Sequence, residues 1–222
     1  YSLGDHIVSA GMTRPVMDNG YLDDRQALNS AFLGLESIGL VNGSNTRLAL
    51  LQSNNSIRNI GLRWDGVYGN TKVGASYNHL TQGGLSSDVD VFSLAVRHEI
   101  AQTSSAREMA FFAGLEEINT ASADATNWIL GLEGQVNRLG YGFTIGDSEQ
   151  ILGQSLRGWL DYDVTEALTI GVEAINLNDV DVDLVGITAR YNAWSNIEVE
   201  ASYIDQRGAN SGISEISLRY RF

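Results

Sequence analysis

Ile216-Ser217-Leu218-Arg219-Tyr220-Arg221-Phe222 alternates apolar and polar side chains without a break. Side chains on a β-strand point to opposite faces with a period of two, so this stretch offers one apolar face and one wetted face. Alone it is an amphipathic strand. Whether it edges a small soluble sheet or completes something larger depends on how often the same pattern recurs upstream.

It recurs along most of the chain. Working back from the end, the period marks Ile197, Val199, Ala201 and Tyr203; Val185, Ile187, Ala189 and Tyr191; Leu168, Ile170, Val172 and Ala174; then Leu156, Leu160 and Tyr162. Further upstream come Leu139, Tyr141, Phe143 and Ile145; Trp128, Leu130 and Leu132; Phe111, Ala113 and Leu115; Phe92, Leu94 and Val96. Val73, Ala75 and Tyr77; Ile60, Leu62 and Trp64; and Leu48 and Leu50 complete the series. The skipped positions carry charge of both signs: Arg63, Arg97, Glu116, Glu133, Arg157, Asp161, Glu173, Arg190, Glu198 and Arg219. Tight connections are predicted at Tyr68-Gly69-Asn70-Thr71, Thr103-Ser104-Ser105, Asn137-Arg138, Thr165-Glu166 and Asn192-Ala193. They alternate with looser ones such as 83–87 and 206–211. From about residue 44 onward, twelve strands of about 10 residues leave about five residues per connection, a normal loop length. A strand over residues 31 to 41 would make thirteen, and fourteen with one more, since single-chain bacterial barrels have even strand numbers.

Composition points the same way. The 222 residues include 24 Gly, one Pro and no Cys, which suits many strands and tight turns and closes disulfide, thiolate-metal and cysteine-nucleophile chemistry. No apolar run approaches the about 18 residues that a membrane helix needs. With 14 Lys and Arg against 27 Asp and Glu, the net charge of -13 argues against a nucleic-acid partner. The chain opens at Tyr1 without an initiator Met or a charged-then-apolar leader, and is expected to be either a processed mature protein or a piece of a longer one.

The apolar positions must face something. A soluble cylinder of twelve strands is too wide for side chains alone to fill if they face inward. Facing outward into lipid, they leave the charges on a hydrated lumen and no open sheet edge. The expected fold is therefore all-β: a transmembrane antiparallel up-and-down β-barrel of 12 strands in the bacterial outer membrane, over residues 44–222. A soluble two-sheet sandwich is the alternative. Trp64, Tyr141, Tyr162, Tyr191 and Trp194 fall beside the short turns, where an interfacial aromatic girdle belongs. Trp128, Tyr77 and Tyr203 would mark the opposite rim.

Residues 1–43 break the rhythm. Asp23 with Gln26 suits a capping box, and Leu28, Ala31, Phe32 and Leu35 follow at helical spacing, so a helix from about 24 to 36 is expected, with a strand over 32–41 as the other reading. A helix or segment ahead of the barrel has an economical location in the lumen, where it would plug or thread the pore.

Thr46 to Gln52, Ile60 to Gly66, Val73 to Tyr77 and the closing Ser217 to Phe222 resemble the translocator domain of autotransporters, especially those that follow subtilisin-like passengers. The resemblance implies a twelve-stranded barrel, a lumenal helix on its N-terminal side, an upstream passenger and help from the barrel-assembly machinery. Leu218, Tyr220 and Phe222 then resemble an assembly signal. No passenger is present in this chain, so no protease residue carries over.

Chemistry is sparse. His6, His79 and His98 are the only near-neutral bases, and Gly153-Gln154-Ser155-Leu156-Arg157-Gly158 departs from the G-x-S-x-G elbow. Asp179-Val180-Asp181-Val182-Asp183 has Leu184 and Arg190 where a calcium loop needs Gly and Glu, which leaves a solvated acidic loop. The sequence predicts no enzyme, no metal and no cofactor. It predicts an outer-membrane translocator or anchor for an upstream segment, with a stand-alone small porin for polar solutes as the alternative. The partners expected are outer-membrane lipid, the barrel-assembly machinery and an N-terminal passenger.

Overall fold

In the computed structural model, the residues described are 2–11, 13, 16, 57–82, 88–100, 107–120, 124–148, 153–178, 181–194, 197–207 and 211–220. Two short strands, β1 (Ser2–Leu3) and β2 (His6–Gly11), precede eleven long ones. These are β3 (Ile57–Tyr68), β4 (Thr71–Gln82), β5 (Val89–Ile100), β6 (Arg107–Thr120), β7 (Asp124–Val136) and β8 (Leu139–Ser148). They continue with β9 (Gly153–Asp163), β10 (Leu168–Leu177), β11 (Val182–Trp194), β12 (Ile197–Arg207) and β13 (Ser211–Tyr220). All lie in one sheet in chain order, each antiparallel to the next, with no ladder among the described residues joining its two ends. This is the up-and-down arrangement that the alternation demands, and the eleven long strands coincide with the runs read from Ile60 onward. The run at Leu48 and Leu50, the helix expected over 24–36 and the strand reading over 32–41 lie outside the described residues.

Two-residue hairpin turns need left-handed backbone, and the chain supplies it with Gly69 at φ 58° and Asn137 at φ 55°. The turn expected at Asn192-Ala193 is displaced. β11 runs on to Trp194, with a register shift between Asn192 and Trp194 against β12. An extra residue in one strand of a pair is the mark of a bulge, and it carries the connection past the Asn192-Ala193 dipeptide.

Register reveals tilt. A line of inward-facing cross-strand partners runs Lys72, Arg97, Phe112, Gly131, Thr144, Arg157, Ile175, Leu184, Gln206. It begins at the second residue of β4, beside a short turn, and ends at the tenth of β12, beside a loop. A climb of about one residue (about 3.3 Å) per strand step of about 4.8 Å corresponds to a tilt of about 35°, as transmembrane barrels have.

The lead-in differs from expectation at its start. β2 pairs with β3, His6 opposite Gly66 and Gly11 opposite Gly61, so residues 6–11 of the 1–43 segment belong to the sheet. An extended segment covering an edge of β3 satisfies backbone groups that would otherwise stay open. Beyond Gly11 the chain leaves the sheet, and Thr13 and Val16 are buried against its inner face.

Candidate functional site

The two faces of the strands divide cleanly. Exposed on one are Ile60, Leu62, Phe92, Leu94, Leu130, Phe143, Ile170, Ile187 and Leu218. On the other, buried, are Arg63, Ser76, Asn78, Ser93, Arg97, Glu116, Asn127, Glu133, Arg157, Glu173, Thr188, Glu198 and Glu200. A soluble protein has the reverse distribution, because burying ions costs far more than burying methyl groups.

Three buried arginines are paired with carboxylates nearby. Arg63 grips Asp65, two residues along the same strand, with its Nε and Nη2 at 2.7 and 2.6 Å from the two carboxylate oxygens. Arg97 reaches over β6 to pair with Glu133 on β7 and lies 3.8 Å from Glu99 on its own strand. Arg157 on β9 pairs with Glu173 on β10, and its guanidinium carbon lies 4.8 Å from the centroid of the Trp159 ring. Glu116, fully buried, accepts hydrogen bonds from Ser93 Oγ and Asn127 Nδ2, each at 3.2 Å.

Trp159 itself is inward-facing and buried, which depends on Gly142 across β8: a Cβ there would fall 1.8 Å from the indole. Asp161 and Arg190 occupy the same inner face and are partly exposed. Arg219 is paired through its backbone with Glu198, and its side chain lies outside the described residues.

Of the aromatic set, Tyr162, Tyr191 and Trp194 are exposed on the outer face beside the short connections at 164–167 and 195–196. Tyr141 follows the 137–138 turn, its hydroxyl 3.6 Å from Met109 Sδ. Trp64 stacks on His6 at 6.0 Å and lies 6.5 Å from Tyr68. Of the closing residues, Leu218 is exposed on the outer face, Tyr220 pairs through its backbone with Ile197, and Phe222 lies outside the described residues.

Several features escaped the sequence reading. Toward the loop ends the inner face turns apolar: Leu80, Val91 and Ile118 form one cluster across β4, β5 and β6, and Ile175, Leu177, Leu184 and Ile204 are buried across β10 to β12. Strict parity along each strand contains that signal, because these residues occupy positions that alternate with the exposed set. On the outer face, Tyr77 Oη donates to Asp90 Oδ1 at 2.6 Å, and His79 Nδ1 lies 2.8 Å from the same oxygen. His98 is hydrogen-bonded to Thr71 Oγ1 at 2.8 Å, at the opposite rim. The histidines are therefore engaged at the rims and on the outer face. Among the described residues no group of His, Cys, Asp and Glu could hold a metal ion. Within the acidic run, Asp183 accepts a hydrogen bond from Asn176 Nδ2 at 2.6 Å.

No protein-family model matches the chain, and no curated protein sequence matches it. Solved structures do. A mutant of the Rh. blastica porin superposes with a TM-score of 0.70 over 100% of this chain and 75% of that one, at 16% identity. A second mutant of that porin gives 0.67 at 13% identity over the same shares. Another porin, refined at 1.8 Å resolution, gives 0.58 at 15% identity, covering 78% of this chain and 64% of the other. The fold is thus that of the porins: an antiparallel up-and-down sheet of the kind that porins close into a barrel. These likenesses lend nothing to the narrower resemblance to an autotransporter translocator.

Proposed function

We propose that the chain is a bacterial outer-membrane channel for small polar solutes. One observation carries this reading: on the same strands, large apolar side chains are exposed and ionised side chains are buried. Lipid against the outer face and a polar passage within account for both. Mixed charge along the inner wall suits hydrated solutes that must enter and leave without tight binding. The lipid is the first partner. The barrel-assembly machinery, engaging Leu218, Tyr220 and Phe222, is the second.

Reconstitution into planar bilayers tests the channel. Discrete conductance steps are expected, together with swelling of proteoliposomes in small neutral sugars. A protein that inserts and folds, yet leaves the bilayer electrically silent in every variant, contradicts the reading.

A second reading, a translocator or anchor for an upstream segment, is favoured by Thr13 and Val16 lying on the inner face, where a threaded N-terminal segment belongs. The coding frame ahead of Tyr1 discriminates. A passenger there supports translocation, and a signal peptide directly adjoining Tyr1 removes it.

A further inference from the structure

The inner wall of β3 to β7 carries a seat that Thr13 and Val16 of the chain's own N-terminal segment occupy. Leaving β2 at Gly11, whose φ of 116° favours glycine, the backbone turns off the sheet, and the Thr13 amide donates to the Gly11 carbonyl at 2.9 Å. Asn78, fully buried on the inner face of β4, donates through Nδ2 to the Thr13 carbonyl at 2.8 Å and to the Thr13 hydroxyl at 3.1 Å. One inward position along the same strand, buried Ser76 accepts the Val16 amide at 3.0 Å. The Val16 side chain completes an apolar cluster with Ala95, Phe112 and Ile129, inward residues of β5, β6 and β7. Opposite Asn78 stands Gly61, where a Cβ would come within 2.4 Å of Thr13 Oγ1.

These features form one binding arrangement. Backbone groups taken out of water require partners, and two wall side chains supply them. The apolar cluster receives the Val16 side chain, and glycine permits the close approach. We infer that Thr13 and Val16 form a latch, held by Ser76, Asn78 and the Ala95–Phe112–Ile129 cluster, that occupies part of the lumen and restricts flow through it. The inference rests on the channel reading and adds an internal occupant to it.

Because the chain has no cysteine, Val16→Cys with Ser76→Cys creates the only pair that can oxidise. Oxidation of the folded, lipid-inserted protein is expected to give an intramolecular crosslink visible as a gel shift, with conductance held low. Reduction is expected to raise conductance severalfold, and so is replacement of Thr13 to Val16 by glycines in the cysteine-free chain. Heat-modifiable gel mobility verifies that each form is folded. Failure of the crosslink to form overturns the latch, as does equal, substantial conductance in locked, reduced and glycine forms. Silence in every form, the glycine chain included, overturns the channel reading and the latch with it.

Discussion

Leu130 and Glu133 stand three residues apart on β7, and they inhabit opposite environments. Leu130 is 50% exposed at the middle of the strand, whereas Glu133 is 4% exposed and paired with Arg97. The contrast repeats on β5, where Phe92, Leu94 and Val96 are exposed while Ser93, Ala95 and Arg97 are buried. One face of the sheet is apolar and loosely surrounded; the other is ionic and specifically paired. Substitutions should therefore be governed by medium on the outer face and by partner on the inner one.

The largest effect is expected where that distinction is sharpest. The alternation alone suggests that Arg in place of Glu133 would be tolerated, as one lumen charge exchanged for another. The pairing says otherwise: Glu133→Arg sets two guanidinium groups against each other and should cost about 3 kcal/mol, the lower end for breaking a buried pair because Glu99 lies near Arg97. Urea unfolding in lipid vesicles measures it. The exchange Arg97→Glu with Glu133→Arg should recover most of the loss, and no recovery would show that the pair is incidental.

On the outer face, Leu130→Arg should cost about 2–4 kcal/mol if the middle of β7 lies at the bilayer midplane. The same unfolding assay applies, and a neutral result would mean that the exposed apolar face does not meet hydrocarbon. Gly142→Ala tests packing within the inner face. A methyl group forced against Trp159 should cost about 1–3 kcal/mol, and Trp159→Leu in the same chain should relieve it.

The smallest effect is electrical. Among the described residues, inward-facing acidic side chains, including Glu116, Glu133, Asp161, Glu173, Glu198 and Glu200, outnumber the inward-facing basic ones, Arg63, Lys72, Arg97, Arg157 and Arg190. Reversal potentials across a salt gradient should show a mild cation preference, reduced by Glu198→Gln with Glu200→Gln. An anion preference would show that the charges on this wall do not set the pore's field.

The strands were legible because the outward positions carry apolar residues too regularly for any other period. Ile60, Leu62 and Trp64 or Ile170, Val172 and Ala174 leave no choice of face, and Gly69 and Asn137 announce their turns. The partners were not legible. Which carboxylate Arg97 meets depends on a register spanning three strands, and nothing local distinguishes Glu133 from Glu99 or Glu116. The strand at 6–11 was missed because Ile7, Val8 and Ala10 do not alternate, so its pairing is fixed by the neighbouring strand rather than by its own pattern. The seat for Val16 lay beyond reach for the same reason: Ser76, Ala95, Phe112 and Ile129 come from four strands and look unremarkable in each.

The slanting line of cross-strand partners has a consequence for anything moving along the axis. Arg97 and Arg157 belong to one such line, four strand steps apart. At a tilt of about 35° and a strand spacing of about 4.8 Å, they differ in depth by about 11 Å. If the chain conducts as proposed, a travelling ion would encounter their positive charges in succession, like treads on a spiral stair, and never as a single collar.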